Sequence, residues 1–288
     1  MSPLVVIVGP TASGKSALAL EVARRYNGEI ICADSRTIYK GMDIGTAKPS
    51  MEERASVPHH MLDVITPDRP YSAASFKRET LRIIDEVHER GRLPIMVGGT
   101  GLYIDAVLFD FDFRPVADPG LRDELNSMSV NQLQERILRM NLDMPNNAQN
   151  PRYLMRVIET NGAVSKHGPI RANTIVVGLT VDREVLKGRI IKRVHAMITQ
   201  GFIEEVRSLA NEYGWDAPGM LAPGYKAFRA HIEQGAPLDE ATILFARNDI
   251  RLAKRQMTWF KRNPSIQWLQ TSDEALLRIE QFIAKQAS

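Results

Sequence analysis

The sequence has a single cysteine, Cys32, among its 288 residues. One thiol can form neither an intramolecular disulfide nor a cysteine-cluster zinc site, so any catalytic metal should have oxygen ligands. No stretch approaches the roughly eighteen consecutive apolar residues of a membrane span. The first residues, Met1 to Val8, lack the basic segment that opens a signal peptide. We therefore expect a cytoplasmic protein without membrane contact.

Charge of one sign is also not in great excess. The 37 lysines and arginines face 34 acidic residues, which leaves a formal net charge of +3. This mild excess does not by itself indicate a polyanionic partner, so the distribution of the charges must decide. With 44% hydrophobic residues, the chain is long enough for one large α/β domain with an insertion or for two modest domains.

Strand-like and helix-like segments alternate over most of the chain. The predicted strands are 4–8, 30–33, 61–65, 94–97, 174–181 and 266–269, and the longest helical patterns are 72–90, 183–213 and 238–262. Such alternation predicts an α/β fold with a parallel, doubly wound sheet, and the phosphate loop described below makes this core P-loop NTPase-like. Residues 115–168 instead read as polar helical segments broken by prolines. We predict a mainly helical insertion domain there, between core parts 1–114 and 169–288.

A phosphate-binding loop follows the first predicted strand. Gly9-Pro-Thr-Ala-Ser-Gly-Lys-Ser16 fits G-x-x-x-x-G-K-[ST] and precedes a predicted helix, whereas an ordinary glycine turn requires neither the lysine nor the serine. Backbone N–H groups form the anion nest, Lys15 adds positive charge and the Ser16 hydroxyl can ligate Mg²⁺. The predicted phosphate-binding residues are Gly9, Pro10, Thr11, Ala12, Ser13, Gly14, Lys15 and Ser16.

The loop does not reveal whose phosphate it binds. Lysine and Mg²⁺ neutralise a diphosphate equally well whether it is transferred, as in a kinase, or leaves, as from a prenyl diphosphate. Further motifs are Asp-Ile-Gly-Thr-Ala-Lys-Pro at 43–49, Gly-Gly-Thr-Gly-Leu-Tyr at 98–103, Gly-Tyr-Lys at 224–226 and Ala-Lys-Arg-Gln at 253–256. In this order and spacing, and over nearly the whole chain, they resemble the tRNA dimethylallyltransferase (tRNA isopentenyltransferase) family.

The resemblance implies magnesium-assisted transfer of a dimethylallyl group from dimethylallyl diphosphate to tRNA. The acceptor is the exocyclic N6 of the adenosine beside the anticodon, in the anticodon stem-loop, and diphosphate is released. We also expect a monomer.

The resemblance also assigns roles at the reaction site, where Asp34, Thr100 and Lys15 are the predicted catalytic residues. Asp34, after the second strand, is the expected general base, although an Asx turn is an alternative for it. Thr100 is expected to donate its hydroxyl to the leaving diphosphate, and a helix N-cap is its alternative. Arg189 and Arg193 lie four residues apart, on one helix face, and are expected to contact the diphosphate unless that face is merely solvated. Lys48 and Arg36 are further candidates for phosphate contact.

Cations cluster in one predicted helix. Residues 245–262 carry six lysines and arginines against a single acid, Asp249, a local charge of +5. Trp259, Phe260 and Gln256 lie among them, which suits RNA because aromatic rings stack on bases and amides read base edges. Core packing is the alternative for Trp259.

Together with the resemblance, this pattern predicts a tRNA-binding set spread over the chain and centred on that helix. The set is Asp34, Ser35, Arg36, Thr37, Thr100, Arg122, Arg152, Tyr153, Leu154, Met155, Arg156, Leu221, Ala222, Pro223, Gly224, Tyr225, Lys226, Lys254, Arg255, Gln256, Met257, Thr258, Trp259, Phe260 and Lys261.

Three other functions are compatible with parts of this sequence. A small-molecule P-loop kinase would explain the phosphate loop but not the basic aromatic helix. A prenyltransferase acting on free adenine nucleotides would use the same chemistry without RNA. A non-catalytic RNA-binding module would leave the phosphate loop without a purpose.

Overall fold

The computed structural model describes residues 3–113, 119–163 and 167–287 of the chain. Within these ranges, six strands form one sheet in the order β3-β2-β4-β1-β5-β6. Every pairing between neighbouring strands is parallel, which confirms the predicted fold class. The strands are β1 (Leu4–Val8), β2 (Gly28–Cys32), β3 (His59–His60), β4 (Leu93–Gly98), β5 (Thr174–Leu179) and β6 (Gln267–Leu269).

Helices connect and cover these strands. The helices of the described residues are α1 (Lys15–Arg25), α2 (Met51–Ser56), α3 (Ala73–Glu89), α4 (Gly101–Leu108), α5 (Pro119–Asn126), α6 (Val130–Arg139), α7 (Pro151–Glu159), α8 (Arg183–Thr199), α9 (Phe202–Tyr213), α10 (Pro223–Gln234), α11 (Leu238–Phe260) and α12 (Ser272–Ala287). Among the described residues, no helix combines the length and the apolar character needed to cross a membrane.

The sheet core is built from alternate residues of the central strands. Val5 and Ile7 of β1 lie in the same buried cluster as Ile95 and Val97 of β4, because successive strand residues point to opposite faces. Leu18, Val22, Ala275 and Ile279 of α1 and α12 complete this cluster. All five residues of β1 are buried, which explains why this strand reads as an unbroken apolar run.

The strand order brings three functional loops to one edge of the sheet. β4 lies between β2 and β1, with Val97 paired to Cys32 and Gly98 paired to Val8. The carboxyl ends of these parallel strands therefore meet, and the loops that follow them begin side by side. Ligands of open parallel sheets bind outside this edge.

Two predicted elements were wrong. The predicted strand 61–65 is not formed: Met61 and Asp63 have φ values of 61° and 55°, which do not fit a strand, and the sheet pairs His59–His60 instead. The predicted helix 183–213 is two helices, because the chain turns at Gly201, where φ is 99°.

The chain divides into two compact units, Met1–Leu108 with Ile170–Ser288, and Phe109–Pro169. The second unit has its own small core between α5, α6 and α7, in which Leu125, Leu133, Ile137 and Leu154 are fully buried. Its described residues form helices and no strand. The predicted boundary between 114 and 115 lies outside the described residues.

Candidate active site

The phosphate loop joins the end of β1 to the start of α1. Gly9 and Gly14 have φ values of 154° and 94°, which favour glycine, and a Cβ on Gly9 would lie 2.8 Å from the Ser13 hydroxyl. Because α1 begins at Lys15, the first N–H groups of the helix have no acceptors within it. The loop thus has the backbone form of an anion nest.

Two side chains of this loop are short of partners. Lys15 Nζ donates to the Pro10 carbonyl at 3.3 Å. Burial lowers the pKa of Lys15 to about 8, although the Asp34 carboxylate opposes the shift. Among the described residues, the buried Ser13 hydroxyl has no hydrogen-bond partner. A bound diphosphate would supply both the negative charge and the acceptors that these groups lack.

A pocket of about 260 Å³ lies beside the loop and is lined by Lys15, Asp34 and Thr100. These are the three residues predicted to be catalytic, and Thr11 and Arg193 line the same pocket. They come from the loops after β1, β2 and β4 and from α8. The side chains assigned to the donor diphosphate and to proton transfer therefore share one cavity.

Hydrogen bonds join the loops that carry Asp34 and Thr100. Thr100 Oγ1 accepts a hydrogen bond from the Ser35 N–H at 3.0 Å, and the Thr100 N–H donates to the Ala33 carbonyl at 3.2 Å. Asp34 Oδ1 accepts from the Arg36 N–H at 2.8 Å, so the Asx turn considered from the sequence is present. A carboxylate has about four lone-pair sites, so this turn does not occupy it fully.

The two arginines predicted to contact the diphosphate lie in different places. Arg193 lines the pocket, and its Nη2 donates to Asp249 Oδ2 at 2.6 Å. Its buried Nε has no partner among the described residues. Burial raises the pKa of Asp249, although Arg193 opposes this shift. Arg189 is exposed and lines a neighbouring cavity with Ser13.

Lys48 does not serve as the expected phosphate contact. Its Nζ donates to the carboxylates of Asp43 and Asp63, at 2.5 and 2.7 Å, and to the Tyr39 carbonyl at 2.9 Å. Only 1% of its side chain is exposed. Lys48 therefore stabilises the Asp-Ile-Gly-Thr-Ala-Lys-Pro segment from inside. Arg36, the other candidate, lines the pocket and donates to the Pro218 carbonyl at 3.4 Å.

Glu205, which no sequence pattern indicated, organises the same segment. Its carboxylate accepts hydrogen bonds from the N–H groups of Asp43, Ile44 and Gly45 at 2.7 to 3.0 Å. It also accepts one from the Tyr225 hydroxyl at 2.6 Å. The three N–H groups lie about 160 residues away in the chain, so local pattern could not have revealed these contacts.

A magnesium site would depend on few protein ligands. The described residues contain no group of three or more His, Cys, Asp or Glu side chains that could hold a metal ion. The Ser16 hydroxyl is exposed in the first turn of α1, next to Lys15. This donor set fits Mg²⁺, which usually takes one or two protein oxygens together with phosphate oxygens and water.

Comparison with known proteins decides the family. Residues 37–263 match the family model of IPP transferases. The chain belongs to this family. It is 41% identical, over 99% of this chain and 97% of the relative, to the tRNA dimethylallyltransferase of Carboxydothermus hydrogenoformans.

Solved structures agree with the assignment to the IPP transferase family. The full-length tRNA isopentenylpyrophosphate transferase of Bacillus halodurans superposes with a TM-score of 0.77 at 37% identity, covering 99% of this chain and 96% of that one. A eukaryotic dimethylallyltransferase, described as acting on tRNA, shares the fold with a TM-score of 0.83 at 23% identity. The match covers 99% of this chain and 80% of the eukaryotic one.

In this IPP transferase, the residues of α11 predicted to bind tRNA fall on two faces. Lys254, Arg255, Thr258 and Lys261 are exposed, and Met257 is half-buried. The others point inward. Phe260 is 1% exposed and belongs to the core, and Gln256 is 8% exposed. The indole N–H of Trp259 donates to Asp105 Oδ2 at 2.6 Å, and its ring covers Gly101, so this half-buried side chain is held against α4.

The predicted segments at the start of α10 and after β2 show the same division. Leu221 and Lys226 are exposed, while Pro223 and Gly224 line the pocket. Ala222 and Tyr225 are buried and line the same pocket. In the loop after β2, Ser35 lines the pocket, whereas Thr37 is buried and its hydroxyl donates to the Asp34 carbonyl at 3.5 Å.

In the second unit, the predicted contacts of α7 are also partly buried. Arg152 and Tyr153 are exposed, but Leu154 and Met155 belong to the small core. Arg122 and Arg156 both pair with the Glu159 carboxylate. The pattern Arg-Tyr-Leu-Met-Arg therefore offers an arginine and a tyrosine to a partner and uses its two central side chains for folding.

Proposed function

We propose that this chain transfers a dimethylallyl group from dimethylallyl diphosphate to the exocyclic N6 of the adenosine beside the anticodon in tRNA, releasing diphosphate. The observation that carries the proposal is the single pocket that joins Lys15 of the phosphate loop to Asp34 and Thr100. A kinase would need the loop, but a carboxylate and a hydroxyl beside it suit an acceptor amine and a leaving diphosphate.

The reaction is one substitution at carbon. The N6 lone pair forms a bond to C1 of the dimethylallyl group while the bond from C1 to the diphosphate oxygen breaks, and the electron pair leaves with the diphosphate. An aromatic amine is a weak nucleophile, so Asp34 accepts the N6 proton as the new bond forms. Thr100 donates its hydroxyl to the departing oxygen.

The charge on the diphosphate is balanced by the phosphate loop. Lys15, the loop N–H groups and Arg193 contact its oxygens, and Ser13 supplies a further hydroxyl. Ser16 would hold Mg²⁺ together with diphosphate oxygens and water, and the ion would neutralise the leaving group. These groups form the donor half of the site.

The exposed cations of α11 form the half of the site that binds RNA. No ion pair among the described residues involves Arg247, Arg251 or Lys254, whereas most exposed arginines elsewhere, such as Arg82 and Arg139, pair with a carboxylate. An unneutralised stripe of charge costs self-repulsion, which phosphates of an RNA strand would relieve. The adenosine must leave its stack to reach Asp34, so tRNA must be gripped near the pocket.

Mass spectrometry of nucleosides tests the proposal. The protein is incubated with unmodified tRNA, dimethylallyl diphosphate and Mg²⁺, and the digested RNA should contain adenosine heavier by one dimethylallyl group. Turnover of AMP or ATP with indifference to tRNA would instead indicate the free-nucleotide prenyltransferase. Phosphorylated product from ATP, without prenylated RNA, would indicate the kinase.

A further inference from the structure

Gln256 makes a hydrogen bond that its place in a basic helix did not suggest. Its Oε1 accepts from the Thr11 N–H of the phosphate loop at 2.8 Å, across 245 residues of sequence. Gln256 and Thr11 are 8% and 9% exposed. A buried N–H must have an acceptor, so this bond fixes part of the loop backbone to α11.

The other end of the same carboxamide lies against the loop after β4. A Cβ on Gly99 would lie only 2.2 Å from Gln256 Nε2. Gly99 directly precedes Thr100, which lines the pocket. The carboxamide of Gln256 therefore fills the space between the phosphate loop and the turn that carries Thr100.

We propose that Gln256 is a positioning residue for the donor diphosphate. Through Thr11, it holds the phosphate loop in the form that binds diphosphate and sets its distance from Thr100. This role differs from the reading of base edges expected from the sequence: the amide oxygen accepts from the Thr11 N–H, while the Gln256 side chain lines the pocket. The inference rests on the proposed function only for the identity of the donor, dimethylallyl diphosphate. Binding of a diphosphate by the loop does not depend on that function.

Calorimetric titration with inorganic pyrophosphate and Mg²⁺, without tRNA, tests this role. Gln256→Ala leaves the Thr11 N–H without its acceptor, and we expect pyrophosphate affinity to fall about tenfold because the competent loop form is less populated. Gln281→Ala, an exposed glutamine of α12, is the matched control and should leave the affinity unchanged. In turnover assays, the KM for the donor should rise, while the KM for tRNA stays the same.

Gly99→Ala provides an independent variant, because its methyl group would displace the carboxamide. We expect about the same loss of pyrophosphate affinity. The double variant should bind no more weakly than Gln256→Ala, since removal of the carboxamide leaves room for the methyl group. Losses that multiply in the double variant would overturn the proposal.

Three other outcomes are decisive. A higher KM for tRNA with intact pyrophosphate affinity would make Gln256 a base-reading residue and refute the positioning role. Circular dichroism melting checks folding; should Gln256→Ala not fold, intact pyrophosphate affinity in Gly99→Ala would refute the role. If wild type gives no prenylated tRNA but the variants still lose pyrophosphate affinity, the proposed function fails and the positioning role stands.

Discussion

At the scale of single residues, Asp34 combines a structural and a chemical task that one substitution can separate. Asn at position 34 keeps an oxygen for the Arg36 N–H and so preserves the Asx turn, but it cannot take a proton. We expect Asp34→Asn to lower kcat by roughly two to four orders of magnitude, the size of general-base effects. Single-turnover kinetics with dimethylallyl diphosphate and tRNA would measure it.

Binding measurements supply the control for this substitution. Affinities of Asp34→Asn for pyrophosphate and tRNA should stay within about twofold of wild type, because the turn is kept. Asp34→Ala removes the turn as well and should lose some affinity in addition to turnover. If Asp34→Asn kept the wild-type kcat, Asp34 would have only the structural role of forming the Asx turn.

Residues could be assigned from the sequence where their partners lie nearby in the chain. The phosphate loop was recognisable because strand, glycines, Lys15 and helix are consecutive. Glu205 and Gln256 act on backbone N–H groups 160 and 245 residues away, and no local pattern records such a contact. Gln256 was assigned to RNA because its neighbours in sequence are cations, although it lies on the opposite face of the helix.

At the scale of elements, α11 is expected to bind RNA phosphates through its exposed cations. Lys254→Ala should weaken tRNA binding and reduce the slope of log K against log salt by about one, because one phosphate contact is lost. Arg82→Ala on α3 is the control, since Arg82 is already paired with Glu86. Filter binding over a range of salt concentrations measures both slopes. An unchanged slope for Lys254→Ala would remove it from the RNA surface.

Glu29 joins β2 to the segment that connects α3 with β4. Glu29 of β2 is 2% exposed, and its carboxylate accepts from Arg90, Arg92 and His60. Burial alone would raise the pKa of Glu29, but the hydrogen bonds from Arg90 and His60 lower it to about 2. The ionised carboxylate thus stabilises the folded state above pH 4.5, and this stabilisation is lost as the pH falls towards 2.

Glu29→Gln should therefore lower the free energy of unfolding by about 3 kcal/mol at neutral pH. The difference from wild type should shrink as the pH is lowered from about 4.5 to 2, where wild type loses its own charge. Urea unfolding at several pH values measures this. Glu21→Gln is the control, because Glu21 forms only an exposed pair with Arg25. A difference that does not change with pH would contradict the assigned charge interaction.

Elements were predictable from sequence where burial dictates their pattern. β1 and β4 are fully buried and almost entirely apolar, and α3 begins at a Ser72 cap and ends before Gly91 with φ 68°. The segment 61–65 has apolar residues but turns through two positive φ values. Its geometry is set by Asp63, which accepts hydrogen bonds from Lys48 and Arg54. Side-chain ties of this kind overrule the propensity for a strand.

At the scale of the whole molecule, alternation of strands and helices was enough to predict a parallel sheet, because crossover connections require helices. The interruption of that pattern after α4 also indicated an inserted unit. Its limits were harder to place. The compact unit is Phe109–Pro169, and the chain enters and leaves it at backbone hydrogen bonds from Arg171 N–H to Leu108 and from Gly168 N–H to Phe109.

These hydrogen bonds imply that the inserted unit can be removed. The Arg171 N–H lies 2.7 Å from the Leu108 carbonyl, so a linker of a few glycines can replace 109–169 without straining the unit formed by the rest of the chain. We expect the shortened protein to fold cooperatively. Because the pocket is lined entirely by residues outside the insertion, pyrophosphate with Mg²⁺ should raise the melting temperature of the shortened protein as much as that of the full chain. Prenylation of tRNA should fall at least about a hundredfold, since the predicted tRNA contacts of the insertion, among them Arg152 and Tyr153, are gone. Thermal melts with and without pyrophosphate, together with nucleoside mass spectrometry, measure both effects.

Loss of the pyrophosphate response in the folded, shortened protein would show that the insertion contributes to the donor half of the site. Undiminished prenylation would show that the insertion has no part in tRNA recognition.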